Sequence, residues 1–289
     1  MTNNGDPHAK SAAETPFGFD TEMAAEKAAR FISEMSVEMA TELDARSPDA
    51  GSHPESAADI VAKGAAELRV DLSIDTAAAF NKYYEYLTSY GKDVNLTAIK
   101  GARDVAHLHF LDSIALVGAA KLHNASLIDI GSGAGFPGVP PKLIDNTINL
   151  TLLDATSKRV EFMSRLSKLL GIETQCIHAR AEEAARGELR ESFDIAVSRA
   201  VARLNVLCEL CLPFVAVGGV FLAMKSNEYE AELEASRDII ASLGAVFDHV
   251  YEYSIPGTNI KRSVVVIRKT AATSSEYPRR FSKIIKSAV

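Results

Sequence analysis

Three glycines at alternate positions follow a short apolar segment in the middle of this 289-residue chain. Residues 127–130 have the character of a buried strand, and Gly131, Gly133 and Gly135 come directly after them. Because glycine has no Cβ and adopts positive φ, such a turn lets the backbone approach a ligand closely. Asp154 ends the next apolar run, at a spacing typical of a carboxylate that binds ribose hydroxyls. These residues predict a site for a nucleoside-containing cofactor.

Two kinds of cofactor fit this turn. Gly133-x-Gly135-x-x-Gly138 matches the fingerprint of dinucleotide sites. The overlapping pattern Asp129-x-Gly131-x-Gly133-x-Gly135 fits S-adenosylmethionine better, because that cofactor has no pyrophosphate and needs a wider turn. The turn alone leaves both possibilities open.

The elements around the turn alternate between strands and helices. Strands are predicted at residues 127–130, 150–153, 174–177, 193–197, 219–224, 246–251 and 263–267. Helices are predicted at residues 140–145, 157–170, 181–189, 203–212 and 227–243. Strands separated by helices pair in parallel through right-handed crossovers, whereas the last two strands have only a loop between them. The chain is therefore predicted to be an α/β protein with a seven-stranded Rossmann-like sheet that ends in an antiparallel hairpin.

The number of predicted strands and the terminal hairpin distinguish the two cofactor classes. Seven strands with a terminal hairpin are the arrangement of class I methyltransferases that use S-adenosylmethionine. A dinucleotide-dependent dehydrogenase would continue in parallel and add a substrate domain, for which no residues remain. S-adenosylmethionine is therefore the predicted cofactor, and an NAD-dependent oxidoreductase stays as an alternative.

Four regions are predicted along the chain. Residues 1–61 form an acidic flexible leader with one helix near 21–46, and residues 62–123 form a helical subdomain interrupted by a turn at 91–93. Residues 124–270 form the S-adenosylmethionine-dependent methyltransferase domain, and residues 271–289 form a basic C-terminal tail.

Charge is distributed unevenly. The net charge is −7, but residues 1–60 hold 4 basic and 12 acidic side chains, whereas residues 261–289 hold 8 basic and 1 acidic. Local fields matter more for binding a polyanion than the total charge does. The basic end therefore keeps a nucleic-acid partner possible.

Composition predicts a cytoplasmic protein. No run of about 18 apolar residues is long enough to span a membrane, and residues 1–10 are polar, which predicts no secretory signal. Three cysteines do not make a disulfide framework. Cys208 and Cys211 form a Cys-x-x-Cys without a second pair or nearby histidine, so they are interpreted as buried helix residues, and no metal site is predicted.

Several segments occur in an order that is specific to one family. They are residues 95–99, 109–113, 129–138, 153–159, 180–183, 198–202, 262–267 and 277–280. Phe136-Pro137-Gly138 is more specific than the glycines before it. From about residue 80 to residue 286 the chain resembles the small-subunit (16S) ribosomal RNA guanine-N7 methyltransferases, also called glucose-inhibited division protein B.

The chain departs from the pattern of this family in two segments. The family commonly has Trp-Asn before the Asn-Leu-Thr segment, whereas this chain has no tryptophan and has Tyr90-Gly91-Lys92 there. Lys225-Ser226 replaces a usual Lys-Gly. These differences concern local contacts.

The resemblance implies roles for individual residues. It implies that Gly131 and Phe136 contact the methionine part of the cofactor, and Gly133 and Gly135 of the same turn are also expected to bind the cofactor. Contacts to the ribose and adenine are implied for Asp154, Ala155, Thr156, Ala181 and Glu182. Arg199 is implied where cofactor and RNA meet, as a cofactor-binding residue, and Arg199 and His109 are the expected catalytic residues. RNA contacts are implied for His109, Arg262, Arg279 and Arg280.

Structural explanations exist for four of these residues. Asp154 could be only a helix N-cap, and Glu182 a solvated acid in a first helical turn. Arg199 could belong to a purely structural ion pair. His109 lies among apolar helix residues, as many core histidines do.

The resemblance implies transfer of a methyl group from S-adenosylmethionine to N7 of a guanine in 16S ribosomal RNA. Guanine N7 has a free lone pair, so no general base is required, and orientation alone can supply about 7–11 kcal/mol. The expected partner is 16S ribosomal RNA or a precursor of the small subunit, and the protein is expected to be a monomer. A non-catalytic RNA-binding module with a vestigial cofactor pocket is a further alternative.

Overall fold

The computed structural model describes residues 55–94, 96–199, 202–226 and 228–286. Within these residues seven strands form one sheet in the order β3-β2-β1-β4-β5-β7-β6. The strands are β1 Ser126–Ile130, β2 Asn149–Asp154, β3 Thr174–His178, β4 Phe193–Arg199, β5 Val215–Ser226, β6 Ala245–Ser254 and β7 Lys261–Lys269. The five-strand parallel part and the seven-stranded Rossmann-like architecture agree with the sequence prediction.

The helices lie before the sheet and between its strands. Those before the sheet are α1 Ala57–Glu67, α2 Ile74–Val94, α3 Ala102–Val105, α4 Asp112–Ile114 and α5 Leu116–Ala119. Those that follow are α6 Val139–Ile144, α7 Ser157–Leu170, α8 Ala181–Ala184, α9 Leu204–Cys211, α10 Glu230–Ser242 and α11 Phe281–Lys286. One π-helical turn, Ala106–Leu111, joins α3 to α4. Such turns are frequent at functional sites.

The predicted hairpin lies at one edge of the sheet. β7 runs antiparallel to both β5 and β6, so β6 is the edge strand and β7 lies inside the sheet. β7 is buried at Val264, Val265, Val266 and Ile267, as a strand covered on both faces should be. This hairpin distinguishes the sheet from the all-parallel arrangement expected for a dinucleotide-dependent dehydrogenase.

The strand order reverses between β1 and β4. β1 pairs with β2 on one side and with β4 on the other. The chain therefore leaves β1 toward one side of the sheet and later continues on its opposite side. Ligands of such sheets bind outside the carboxyl ends of the strands at this point. The fold therefore places the residues that follow β1, β2 and β4 at a common edge.

The helical region packs against the sheet in one continuous core. Ser56 forms a capping box with Asp59 at the start of α1, and Val61 of α1 is fully buried. A Cβ at Gly64 would clash with a methyl carbon of Leu111, so α1 and the π-helical turn pack very closely. The boundary predicted at residue 62 falls inside α1, which begins at Ala57; residues 1–54, with the predicted helix at 21–46, lie outside the described residues.

Two helices differ in length from the prediction. The turn predicted at residues 91–93 is helical, since α2 continues to Val94. A glycine inside a helix costs only about 1 kcal/mol relative to alanine, which packing elsewhere in the helix can offset. α8 ends at Ala184 rather than at residue 189, and turns follow it.

The C-terminal segment is packed against the domain. Arg190 donates to the carbonyl oxygens of Thr273 and Tyr277 at 2.7 and 2.9 Å. Arg186 donates to the carbonyl oxygen of Pro278 at 2.5 Å, and Ile284 of α11 is 1% exposed. Residues 270–286 are therefore a C-terminal strap, whereas the sequence predicted a tail.

Among the described residues, no helix combines the length and the apolarity that crossing a bilayer requires.

Candidate functional site

The glycine turn lies against the carboxyl end of β2. The φ angles of Gly131, Gly133 and Gly135 are 74°, 57° and 92°, which only glycine adopts at little cost. The backbone N–H of Gly131 donates to the carbonyl oxygen of Leu153 at 2.9 Å. The N–H of Gly133 donates to Asp154 Oδ2 at 3.0 Å. The turn and the predicted ribose-binding carboxylate thus form one unit.

Gly133, Gly135 and Gly138 differ in the space that is available for a Cβ atom. A Cβ at Gly135 would lie 2.7 Å from Tyr83 Oη, and one at Gly138 would lie 2.9 Å from Asp129 Oδ2. A Cβ at Gly133 would have no atom nearer than 3.9 Å. Of these three positions, Gly133 is the one with open space beside it, where a ligand can approach the backbone.

Asp154 is oriented by its neighbours. Its side chain is 4% exposed, and its Oδ1 accepts a hydrogen bond of 2.8 Å from the N–H of Thr156. Arg159 Nη1 lies 3.5 Å from Oδ2. Thr156, not Asp154, occupies the N-cap position of α7, so the N-cap explanation for Asp154 is wrong. A carboxylate has about four acceptor positions, so capacity remains for ribose hydroxyls.

Asp129 is a second carboxylate beside the turn. It is fully buried, and its Oδ2 accepts from the N–H of Gly138 at 2.7 Å. Its Oδ1 is buried without a hydrogen-bond partner among the described residues. Burial raises the pKa of Asp129 to about 7, while the Gly138 bond and the charge of Arg199 act in the opposite direction. In the ionised form of Asp129, this unpaired buried acceptor fits a ligand that donates a hydrogen bond.

The predicted adenine contacts follow β3. Ala179 N donates to the carbonyl oxygen of Asp154, so the segment after β3 lies next to the end of β2. Glu182 in α8 is 11% exposed at its side chain, and Arg180 lies 3.9 Å away. Burial raises the pKa of Glu182. The explanation as a solvated acid is therefore wrong, because most of this side chain is covered.

Arg199 ends β4 and joins several groups. Its Nη1 donates to Asp112 Oδ2 at 2.8 Å and to the carbonyl oxygen of Leu108 at 3.1 Å. Its guanidinium carbon lies 5.3 Å from the centroid of the Phe136 ring. The side chain is 11% exposed. The structural ion pair considered for Arg199 exists, and it holds the guanidinium beside the predicted methionine-binding residue Phe136.

His109 lies in the π-helical turn and contacts the same groups. Arg199 Nη2 lies 3.1 Å from His109 Nδ1, and Thr97 Oγ1 lies 2.8 Å from Nε2. The imidazole is stacked on Phe136, with ring centroids 4.5 Å apart. Because arginine only donates, Nδ1 accepts and Nε2 carries the proton. Burial, together with the charge of Arg199, holds the pKa of His109 well below its usual range, so the ring is neutral.

The environment of His109 bears on its predicted RNA contact. The residue is 9% exposed, and both ring nitrogens have partners within the protein. A hydrogen bond to RNA would require the exchange of one of these partners. The geometry favours a role for His109 in holding Arg199 and Phe136, and its RNA contact stays a prediction.

Two further residues of this network, the buried Asp112 and the partly buried Tyr253, were not among the candidates. Asp112 is 1% exposed, and its Oδ1 accepts from Tyr253 Oη at 2.6 Å. Burial and the nearby Asp112 carboxylate raise the pKa of Tyr253 well above its ordinary value, so its hydroxyl remains a donor. The sequence signal for Asp112 was an acid within a strongly apolar helical segment. Tyr253 gave no such signal.

The residues predicted to bind RNA have different environments. Arg262 lies at the start of β7, opposite Ser226 and Tyr253 in the sheet, and its Nη1 donates to the carbonyl oxygen of Lys261. Its Nη2 is buried and has no hydrogen-bond partner among the described atoms. Arg280 is exposed.

Arg279 does not present a free charge to RNA. Its Nη2 donates to Glu209 Oε2 at 2.6 Å, and its backbone N–H donates to Glu209 Oε1 at 2.7 Å. Glu209 is 1% exposed, so its carboxylate requires this partner. This pairing makes Arg279 an anchor of the strap, and its RNA contact stays a prediction.

Cys208 and Cys211 lie in α9 and are fully buried. Burial raises the pKa of both thiols, which keeps them protonated. Both are free cysteines, as expected for apolar helix residues. In the described part of the chain no cluster of three metal-binding side chains occurs.

The strand order and the glycine turn beside two carboxylates define a Rossmann-like class I methyltransferase, the class that uses S-adenosylmethionine. A family model described as GidB, rRNA small subunit methyltransferase G, matches residues 76–263. The chain belongs to this family.

Curated relatives agree with the family model. The ribosomal RNA small subunit methyltransferase G of Acetivibrio thermocellus is 40% identical over 230 residues, which cover 79% of this chain and 95% of that protein. The protein of the same name from Clostridium botulinum strain Alaska E43 is 39% identical over 234 residues, covering 80% and 98%.

Solved structures with a similar fold are more distant. A methyltransferase from Pyrococcus furiosus has a TM-score of 0.45 and 11% identity, covering 66% of this chain and 97% of that one. A SAM-dependent methyltransferase from Aquifex aeolicus has a TM-score of 0.43 and 13% identity, covering 56% and 92%.

Proposed function

We propose that this protein transfers a methyl group from S-adenosylmethionine to N7 of a guanine in 16S ribosomal RNA. Membership of the rRNA small subunit methyltransferase G family supports the reaction class and the substrate. The observation that carries the proposal is the open backbone at Gly133, held by Asp154 at the carboxyl edge of the sheet. A cofactor without a pyrophosphate fits this wide turn.

The residues around the turn suit the parts of the cofactor. When bound, S-adenosylmethionine supplies an electrophilic methyl group on a sulfonium. Asp154, followed by Ala155 and Thr156, would accept hydrogen bonds from the ribose hydroxyls. Ala181 and Glu182 would border the adenine. Gly131, Gly133, Gly135 and Phe136 would border the methionine part, where Asp129 Oδ1 offers an unpaired acceptor.

Methylation at N7 needs positioning and charge compensation more than proton transfer. N7 carries a free lone pair, so the site requires no base, and the neutral His109 is not needed as one. Because the methylated purine is cationic, an uncompensated arginine beside it would oppose the reaction. Asp112 neutralises Arg199 at 2.8 Å and removes that difficulty.

The proposed partner is ribosomal RNA, either free or in a precursor of the small subunit. Arg262 and Arg280 are the proposed RNA contacts, and His109 would contribute through Arg199. The protein would act as a monomer in the cytoplasm, where ribosomal subunits are assembled.

The cofactor site is tested by Gly133→Asp, which places a second carboxylate beside Asp154. Calorimetry with S-adenosylmethionine should show binding to the wild type and none to the variant. Gly171→Asp is the matched control, because Gly171 has a φ of 66° and no atom within 4 Å of a Cβ, outside the site. Unchanged binding in Gly133→Asp would refute the site.

The reaction itself is tested by mapping the methyl group. Ribosomal RNA from cells with and without the protein is digested and analysed by mass spectrometry, and N7-methylguanosine should disappear from one position of 16S RNA. Single-turnover methylation with purified protein separates an enzyme from a non-catalytic RNA-binding module. A methyl group on another atom would leave the class intact but overturn the N7 assignment.

A further inference from the structure

Tyr83 connects the helical region to the glycine turn. It lies in the middle of α2 and is fully buried. Its hydroxyl donates to the carbonyl oxygen of Ala134 at 2.5 Å, across 51 residues of sequence. Ala134 is the residue between Gly133 and Gly135, so this bond fixes the peptide at the centre of the turn.

The aromatic ring of Tyr83 makes a second contact with the same loop. It is stacked on Phe136, with centroids 5.2 Å apart and planes within 7° of each other. Phe136 is in turn stacked on His109 and lies beneath the guanidinium of Arg199. Tyr83 therefore supports both the glycine turn and the aromatic ring around which the other site residues are arranged.

The space around the hydroxyl indicates a close fit. A Cβ at Gly135 would lie 2.7 Å from Tyr83 Oη, so the turn must carry glycine where the hydroxyl enters. Ala134 is 4% exposed, so its carbonyl oxygen has little access to water as a replacement partner. Burial raises the pKa of Tyr83 well above its ordinary value, which keeps the hydroxyl protonated as a donor.

We propose that Tyr83 is a positioning residue for the cofactor, because its hydroxyl holds the peptide of Ala134 in the orientation that leaves Gly133 open to the ligand. The proposal rests on the proposed function, in which this turn binds S-adenosylmethionine. Without the bond, the Ala134 carbonyl would have to rotate toward another donor, and the backbone at Gly133 would rotate with it. The affinity for the cofactor would then be lower.

The chain offers a matched control in the same helix. Tyr86 lies three residues after Tyr83, and its hydroxyl is buried without a hydrogen-bond partner among the described residues. Its ring is stacked on Phe162, away from the glycine turn. Tyr83→Phe and Tyr86→Phe each remove one oxygen atom from α2, but only the first removes a bond to the turn.

The experiment compares both full-length variants with the wild type. Calorimetry gives the Kd for S-adenosylmethionine, and turnover is measured at saturating cofactor. Tyr83→Phe should raise the Kd about tenfold, as the loss of one net hydrogen bond allows, with kcat within about twofold. Tyr86→Phe should leave both constants unchanged. Amide exchange of residues 131–136 should be faster in Tyr83→Phe only.

The outcomes separate this proposal from the proposed function. A wild type that does not bind S-adenosylmethionine overturns both. A wild type that binds it, with Tyr83→Phe equal in Kd and in exchange at the turn but lower in melting temperature, makes Tyr83 a packing residue and overturns this proposal alone. Equal losses of affinity in both variants would also overturn it, because a general disturbance of α2 would then be the cause.

Discussion

Arg199 Nη1 donates to Asp112 Oδ2 at 2.8 Å, although the two residues are 87 positions apart in sequence. Asp112 also accepts from Tyr253, so a residue from α4, one from β4 and one from β6 meet in a single hydrogen-bond network. The arginine therefore has a structural and a proposed catalytic role at once. To distinguish these two roles, both charges of the pair must be removed together.

The first prediction concerns this pair. Arg199→Met leaves the Asp112 carboxylate buried without its partner, which should cost about 3–5 kcal/mol of unfolding free energy. Adding Asp112→Asn removes the buried charge, keeps an acceptor for Tyr253, and should restore most of that stability. Methyl transfer should remain at least about tenfold lower in both variants, since one charge-assisted contact is worth about 1.5–3 kcal/mol. Urea denaturation and turnover assays measure the two quantities. Recovery of turnover together with stability in the double variant would limit Arg199 to a structural role.

The second prediction compares two glycines of the turn. Gly135→Ala places a methyl group 2.7 Å from Tyr83 Oη and 2.9 Å from a methyl carbon of Val139, both in the core. Gly133→Ala has no atom nearer than 3.9 Å to its new methyl group and bears only the cost of a positive φ, about 1–2 kcal/mol. Gly135→Ala should therefore lower the melting temperature more than Gly133→Ala does.

Cofactor affinity completes this comparison. In Gly133→Ala the new methyl group occupies the open side of the turn, so the Kd for S-adenosylmethionine should rise although the fold is kept. The order of the two melting temperatures, measured by differential scanning calorimetry, is the direct check. A lower melting temperature for Gly133→Ala than for Gly135→Ala would contradict the close packing of Gly135 against Tyr83 and Val139.

The sheet could be predicted from sequence because each strand is a local apolar run. Residues 127–130 and 150–153 were predicted as strands and lie within β1 and β2, and the loop-connected final pair was predicted as a hairpin. What could not be predicted is that β7 inserts between β5 and β6 and leaves β6 at the edge. Strand order depends on long-range pairing, which no local pattern contains.

The residues of the site could likewise be predicted only where a local motif carries them. The glycines and Asp154 could be found because the turn and the strand end that carry them are local motifs. Tyr83, Asp112 and Tyr253 were missed, since their importance depends on partners 51, 87 and 141 residues away. Arg279 was interpreted as part of a basic surface because the sequence does not show that Glu209, in a largely apolar helix, faces it.

The third prediction uses the two neighbouring arginines of the strap. Arg279→Ala leaves the Glu209 carboxylate, which is 1% exposed, without its guanidinium partner, so the free energy of unfolding should fall by about 3 kcal/mol. Arg280→Ala is the matched control, because Arg280 is exposed; stability should change by no more than about 0.5 kcal/mol. Urea denaturation measures both. Equal stability of the two variants would contradict the anchoring role of Arg279.

RNA binding should distinguish the same two variants, but here the larger effect is expected for Arg280→Ala. If Arg280 contacts phosphate, Arg280→Ala should lower the slope of log affinity against log salt by about 1.

Removal of residues 271–289 should unfold or strongly destabilise the protein, because Arg186, Arg190 and Glu209 all lose partners in the strap. A truncated protein of wild-type stability would show that the strap is dispensable for the fold.

The fourth prediction concerns Asp129 and pH. Burial raises its pKa to about 7 in the folded protein, compared with about 4 for an exposed aspartate. Between these two values the folded state retains a proton that the unfolded state has lost, so unfolding releases it and stability falls as pH rises from about 4 to about 7. Asp129→Asn keeps an acceptor for the N–H of Gly138 and removes this titration. The variant should therefore lose less unfolding free energy than the wild type between pH 5 and pH 8, as measured by urea denaturation at both values.

A second aspartate provides the control for that measurement. Hydrogen bonds from Ser126 lower the pKa of Asp194, so this carboxyl is ionised in both folded and unfolded states above about pH 5. Asp194→Asn should then give a stability curve parallel to that of the wild type between pH 5 and pH 8, whatever its absolute stability. If Asp129→Asn also gives a parallel curve, Asp129 is ionised throughout this range. Its Oδ1 would then carry a full charge that needs a partner even before any cofactor binds.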